Sequence, residues 1–191
     1  MKRFILTGTP GSGKTSILRL LQRLGFDVVE EAATDVIAAD QALGVAQPWL
    51  NPGFVDRIVS LQRQRQLQAA TATENVQFHD RSPICTLALS RHLGLSTSPA
   101  LAAEIDRITQ EQVFEREVFL VRNLGFCEPT AARKISFEEA VRFERLHEDV
   151  YRDLGYDLID VPAGKMSDRI GVIRDVIVRS TRQTRSGGRK R

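Results

Sequence analysis

Five short apolar runs punctuate the chain, and helical spacing fills the intervals between them. The runs are Arg3–Leu6, Asp27–Glu30, Val76–His79, Val118–Val121 and Tyr156–Val161. Short runs of this kind, without sustained alternation, predict strands buried on both faces. The first run stops at a glycine-rich turn, and Ile17, Leu18, Leu20, Leu21 and Leu24 then recur at helical intervals before Gly25. Further helices are predicted over Ala32–Leu43, closed by Gly44, and from Asn51-Pro52 to about Thr73. Ser82-Pro83 and Ser98-Pro99 each read as an N-cap followed by proline in the first turn, opening helices to about Leu93 and Glu115. Ser136-Phe137-Glu138-Glu139 is a capping box that starts a helix to about Leu154, and a last helix covers Met166–Arg179. Strand and helix alternate, so the fold class is α/β, a three-layer α/β/α sandwich around a five-stranded parallel sheet with right-handed crossovers. Ligands of such sheets sit beyond the carboxyl ends of the strands.

Composition changes this picture little. A chain of 191 residues, 42% hydrophobic and 27% charged, suits one globular domain. No apolar run approaches the roughly 18 residues of a membrane helix, so no membrane partner and a cytoplasmic location are expected. Cys85 and Cys127 stand alone, without CxxC spacing, and read as reduced thiols. The net charge of +3 is uneven, because residues 179–191 hold six Lys/Arg and no acid. That segment lacks apolar periodicity and reads as a solvated basic tail after a domain spanning 1–178. No aromatic residues interleave its charges, so nucleic acid is not expected as a partner.

The chemistry is concentrated at the first turn. Gly8-Thr9-Pro10-Gly11-Ser12-Gly13-Lys14-Thr15 matches G-x-x-x-x-G-K-[ST] in full, and Ser16 extends it into the helix. Its glycines let successive N–H groups converge on phosphate oxygens at a helix N-terminus. Lys14 adds positive charge for the β- and γ-phosphates, and Thr15 offers a hydroxyl to Mg²⁺. ATP is the expected nucleotide because no Asn-Lys-x-Asp guanine signature is present, with GTP left open.

Other candidates follow the other strands. Phe78-His79-Asp80-Arg81-Ser82 delivers an acid to the ligand edge, where Asp80 would sit beside the metal as in a Walker B strand and Arg81 would reach phosphate oxygens. The same two residues could instead cap the next helix or pair with each other. Glu30-Glu31 ends the second strand, where Glu31 could act as general base or simply open a helix. The loop from Arg122 to Ile135 could be a lid at about 122–135, with Arg133 ahead of Lys134 over the transferring phosphoryl group, or a solvated basic turn. His147 shares a helix face with Phe143 and Tyr151 and reads as a packed core histidine. Trp49 could stack on a base or cover the core.

With these residues the chain resembles a family of small bacterial P-loop proteins of the predicted-ATPase type. It is similar also to the kinase domain of the NAD-biosynthesis regulator that phosphorylates nicotinamide riboside, and more distantly to thymidylate and deoxynucleoside kinases. The markers are the P-loop, Glu30-Glu31, Asp80-Arg81-Ser82, and Glu128-Pro129-Thr130-Ala131-Ala132-Arg133 followed by Ser136-Phe137-Glu138-Glu139-Ala140. The resemblance implies strand order 2-3-1-4-5, an arginine-bearing lid and a base-binding loop at Val161-Pro162-Ala163-Gly164. The first functional reading is phosphoryl transfer from Mg-ATP to a small, nucleoside-like hydroxyl acceptor, with Glu31 or Asp80 as the base and Lys14, Arg81 and Arg133 holding charge. The alternative is a nucleotide switch or slow NTPase acting through a regulatory protein partner or a homodimer.

Overall fold

The computed structural model describes residues 1–69, 75–125 and 136–187. Its strands are β1 (Lys2–Thr7), β2 (Asp27–Val29), β3 (Val76–Asp80), β4 (Glu117–Val121) and β5 (Asp157–Val161). They form one sheet in the order β2-β3-β1-β4-β5, with every pairing parallel. The helices are α1 (Lys14–Arg23), α2 (Ala32–Ala42), α3 (Phe54–Gln68), α4 (Pro83–His92), α5 (Pro99–Gln110), α6 (Phe137–Asp153) and α7 (Met166–Gly187). A short 3-10 turn, Pro48–Leu50, precedes α3.

Both faces of the sheet are covered, which is why the strands carry near-continuous apolar runs. Phe4, Leu6, Phe78, Phe119 and Val121 face α1 and α7, whose Ile17, Leu21, Ile170 and Ile173 complete that layer. Phe4 lies between Phe78 and Phe119, with ring centroids 5.9 and 5.7 Å away. Ile5 and Val118 face the opposite layer, built from α2 to α6 through Phe54, Ile58, Ile84, Leu101 and Tyr151. On that face β3 carries polar Gln77 and His79, which bond each other at 2.8 Å. Burial first, and Arg3 second, push the His79 pKa down to about 3, so the ring is neutral at physiological pH.

Local signals placed most helix starts. Ser82 and Ser98 accept hydrogen bonds from the amides of Ile84 and Leu101, with proline at the first position of each helix. Ser136 and Glu139 close both halves of the capping box. Three boundaries differ from expectation. Asn51-Pro52 does not open α3: Asn51 Oδ1 accepts from the Gly53 amide at 3.1 Å, closing a turn that delays the helix to Phe54. The expected end of α3 near Thr73 lies outside the described residues. Helix α5 stops at Gln110, because Gln112 takes a positive φ of 48° and the chain turns back so that the Glu115 amide reaches Arg3 O. Helix α7 continues past Arg179 to Gly187, extending the row of Ile173, Val176, Ile177 and buried Ser180. Among the described residues no helix is long and apolar enough to cross a membrane.

Candidate active site

The turn after β1 wraps tightly because two glycines permit it. Gly8 has φ +130°, and a Cβ there would sit 2.4 Å from the Val121 carbonyl oxygen. Gly13, at φ +87°, would press a Cβ to 2.8 Å from Arg169 Nη1. The loop therefore lies directly on the end of β4 and on the start of α7. Thr9 and Ser12 are buried within it, while Thr15 and Ser16 stand at the exposed start of α1. Lys14 folds back over the loop and donates to Gly8 O at 3.0 Å, Thr9 O at 2.7 Å and Ser12 Oγ at 3.3 Å. Burial, followed by the charge of Arg81, lowers its pKa from 10.5 to about 8.

Glu31 and Arg81 meet at the carboxyl edge of β2 and β3. Arg81 Nε donates to Glu31 Oε1, and Thr34 Oγ1 donates to Glu31 Oε2 at 2.7 Å. From α3, Arg65 Nη1 donates to the carbonyls of Glu30 and Glu31 at 3.0 and 2.6 Å, which fixes this exit. Glu30 is exposed, whereas Glu31 lines the main cavity, so the acidic pair is split. Burial works to raise the Glu31 pKa, but Arg81 and then Lys14 outweigh it and hold the carboxyl at about 2. Burial likewise opposes the charge of Arg81, yet Glu31 more than offsets it and the pKa is raised. Arg81 adopts φ +73°, a strained backbone for a non-glycine residue, with its amide bonded to Leu6 O at 3.0 Å.

His147 is buried in the core as expected and also touches this pair. Its Nδ1–H donates to Phe143 O at 2.8 Å, which leaves Nε2 to accept from Arg81 Nη1 at 3.3 Å. Burial and then Arg81 hold its pKa at about 3, so it serves as a neutral acceptor. Below it, Tyr151 Oη bonds Ser82 Oγ at 2.8 Å and Cys85 Sγ at 3.1 Å. Cys85 is a buried free thiol, and Cys127 lies outside the described residues.

A cavity of about 930 Å³ runs from the loop into the body of the protein. Lys14, Thr15, Ser16, Glu31, Asp80 and Arg81 line its polar end. Ile37, Trp49, Phe54, Ile58, Leu89 and Phe143 form an apolar wall, into which Gln62 and Thr86 bring polar groups. Thr86 Oγ1 donates to Gln62 Oε1 at 2.9 Å. Trp49 both packs on the core and faces this space. Volume and lining match the general character of a small-molecule site. Arg133 and Lys134 lie outside the described residues. At the root of the expected lid, Arg122 is bound to Glu144, Glu148 and Asp160, and so belongs to the scaffold.

One residue at the site escaped the sequence reading. Arg169, in the first turns of α7, donates through Nη2 to Ser12 O at 2.9 Å and to Arg122 O at 3.3 Å. The only sequence signal was a cation at the start of a helix, where the dipole disfavours it. Of the expected base-binding loop, Val161 to Gly164, Val161 is buried as the last residue of β5, and Pro162 to Gly164 are exposed and lead toward that helix.

A phosphate-loop turn between a central parallel strand and its helix, in a sheet ordered 2-3-1-4-5, defines a P-loop domain of nucleotide-kinase type. The chain belongs to the AAA domain family, whose model matches residues 3–169. No curated protein matches it. Among solved structures it is similar to the NadR protein in complex with NAD and AMP-PNP, with TM-score 0.66 and 14% identity over 91% of this chain. The chain spans about half the length of that protein, covering 49% of it. It is similar also to deoxyadenosine kinase from M. mycoides, with TM-score 0.60 and 14% identity, covering 92% of this chain and 98% of the other. These likenesses are in fold.

Proposed function

We propose that this protein transfers the γ-phosphoryl group of Mg-ATP to a hydroxyl of a small, nucleoside-like acceptor. The observation that carries this reading is the continuity of the cavity. A polar end beside the P-loop opens without a barrier into an apolar, aromatic-lined space large enough for a second small molecule. A nucleotide switch needs the first half of that arrangement and has no use for the second. Two neighbours support the reading by the ligands they were determined with: AMP-PNP in NadR, and dCMP and dCDP in deoxyadenosine kinase.

In this mechanism Gly8 to Ser16 wrap the phosphates, and Lys14 exchanges its bonds to loop carbonyls for phosphate oxygens. Thr15 and Asp80, a hydroxyl and a carboxylate on the same cavity wall, are hard oxygen donors of the kind Mg²⁺ prefers. When bound, the metal neutralises charge on the transferring group. Glu31 accepts the hydrogen bond of the acceptor hydroxyl and aims its oxygen at the γ-phosphorus. The new P–O bond forms as the bond to the leaving ADP oxygen breaks, and the hydroxyl proton passes to Glu31. A carboxylate held at about 2 is a weak base, which suits a loose transition state in which proton loss is late. Arg81, held by Glu31 and His147, stabilises charge at the phosphoryl group, and Arg133 would add to it from the lid.

Protein supplied with Mg-ATP and a panel of nucleosides and related alcohols tests the reading. ADP release that depends on one class of acceptor is expected. ADP release indifferent to every acceptor, together with nucleotide-dependent capture of a protein partner, would overturn it in favour of a switch. GTP in the same assay decides the donor.

A further inference from the structure

Arg169 occupies a place where three ordinary rules argue against an arginine. It stands in the first turns of α7, at the end of the helix dipole that disfavours cations. It is 2% exposed. Among the described residues no carboxylate pairs with it, and burial depresses its pKa. Buried charges in proteins are ordinarily paired, and an uncompensated one is costly. Among the described residues its guanidinium is bonded only to backbone, to Ser12 O and Arg122 O, and its buried Nε has no partner there. Positions that break several local rules without a stability gain are where function is to be sought.

The chemistry of the peptide unit supplies that function. The Ser12 carbonyl and the Gly13 amide belong to one trans peptide, in which C=O and N–H point in opposite directions. By holding the carbonyl at 2.9 Å, Arg169 turns the Gly13 N–H to the far side of the loop, and Gly13 lines the cavity there. A charged donor on the oxygen also polarises the N–H and strengthens it as a donor. The second bond, to Arg122 O, ties the arrangement to the end of β4, where Asn123 Nδ2 also reaches Thr9 Oγ1 at 3.4 Å. Gly13 has no side chain to keep the guanidinium away.

We propose that Arg169 is a positioning residue for polyphosphate, setting the Ser12–Gly13 peptide so that its N–H faces a bound phosphate and placing an unneutralised cation behind the loop. The bound anion is then the counter-charge that no carboxylate of the described fold provides. This rests on the nucleotide-binding reading above. Lysine at the same position would keep the charge and lose the planar guanidinium whose Nη2 reaches both carbonyls.

Calorimetric titration of Mg-ATP into the wild type, Arg169→Met and Arg169→Lys tests this, with melting curves recorded in the absence of nucleotide. Arg169→Met is expected to weaken binding by about 10- to 100-fold, the range for loss of a bond to a charged group. Arg169→Lys should recover part of that loss, and neither variant should melt far below the wild type. Wild-type affinity in Arg169→Met overturns the proposal. So does a parallel fall of melting point and affinity with no recovery in Arg169→Lys, the mark of a purely structural arginine. Should Arg169→Met fail to fold, Arg169→Lys decides: intermediate affinity with wild-type melting supports the proposal, and unchanged affinity refutes it. A wild-type protein that binds neither Mg-ATP nor Mg-GTP refutes the nucleotide reading itself, a result separable from any effect at position 169.

Discussion

Replacing Lys14 by methionine removes a charge that the fold holds at a cost. Lys14 is 6% exposed, and burial and Arg81 lower its pKa from 10.5 to about 8. A lysine with a folded pKa below its unfolded one binds fewer protons in the native state than in the unfolded chain between those two values. Stability therefore rises with pH from about 8 to about 10.5, and below pH 8 the full cost is present. The gap corresponds to about 3 kcal/mol, taken as an order of magnitude. Lys14→Met also removes the bonds to Gly8 O, Thr9 O and Ser12 Oγ, a loss of opposite sign that depends little on pH. The two effects separate in a difference curve. Unfolding free energies of wild type and Lys14→Met are measured by denaturant titration across pH 7 to 11. The wild type should gain on the variant by up to about 3 kcal/mol across this window. A flat difference, or a wild type that loses ground as pH rises, would refute the burial argument for this lysine.

Other consequences can be measured on the same protein. Mg-ATP affinity should decline above pH 8 in the wild type, by up to about tenfold per pH step, because binding recruits the protonated lysine; Lys14→Ala should bind weakly at every pH and turn over no nucleotide. Glu31→Gln should lower kcat by about 10²- to 10⁴-fold while Mg-ATP affinity stays nearly constant, and an equal loss in both would remove Glu31 from the proton path. Gly8→Ala should cost more than about 2 kcal/mol of unfolding free energy through its strained φ and the Val121 carbonyl, and an unchanged denaturation midpoint would contradict the packing described. Ser136→Ala should cost about 1 kcal/mol by opening the capping box of α6, read as a lowered denaturation midpoint.

The features legible in the sequence were those written in adjacent residues. The P-loop, the two Ser-Pro caps and the capping box at Ser136 each depend on contacts within a few positions, and the buried strands announce themselves through apolar runs. Strand order came from resemblance, since no local pattern encodes it. The turn at Asn51 misled because an asparagine side chain bonded two residues on looks, in sequence, like a helix cap. The site's polar contacts were hidden for another reason. Glu31 finds Arg81 50 positions away, Arg81 finds His147 66 positions away, and Arg169 finds Ser12 157 positions away. Only the folded chain brings these together. Asp80 and Arg81 line the cavity at the end of β3, and Arg81 is held there by an acid and an imidazole that spacing alone could not supply.

The proposed phosphoryl transfer joins the P-loop and the apolar cavity in one reaction. A crystal structure with Mg²⁺ and a non-hydrolysable ATP analogue tests it most directly. The β- and γ-phosphates should lie within the turn from Gly8 to Ser16, with the γ-phosphate facing Glu31 and Arg81 at the mouth of the cavity. A nucleotide bound elsewhere, or one whose base or sugar fills the space along Trp49 and Phe143 and leaves no room for an acceptor, would contradict it.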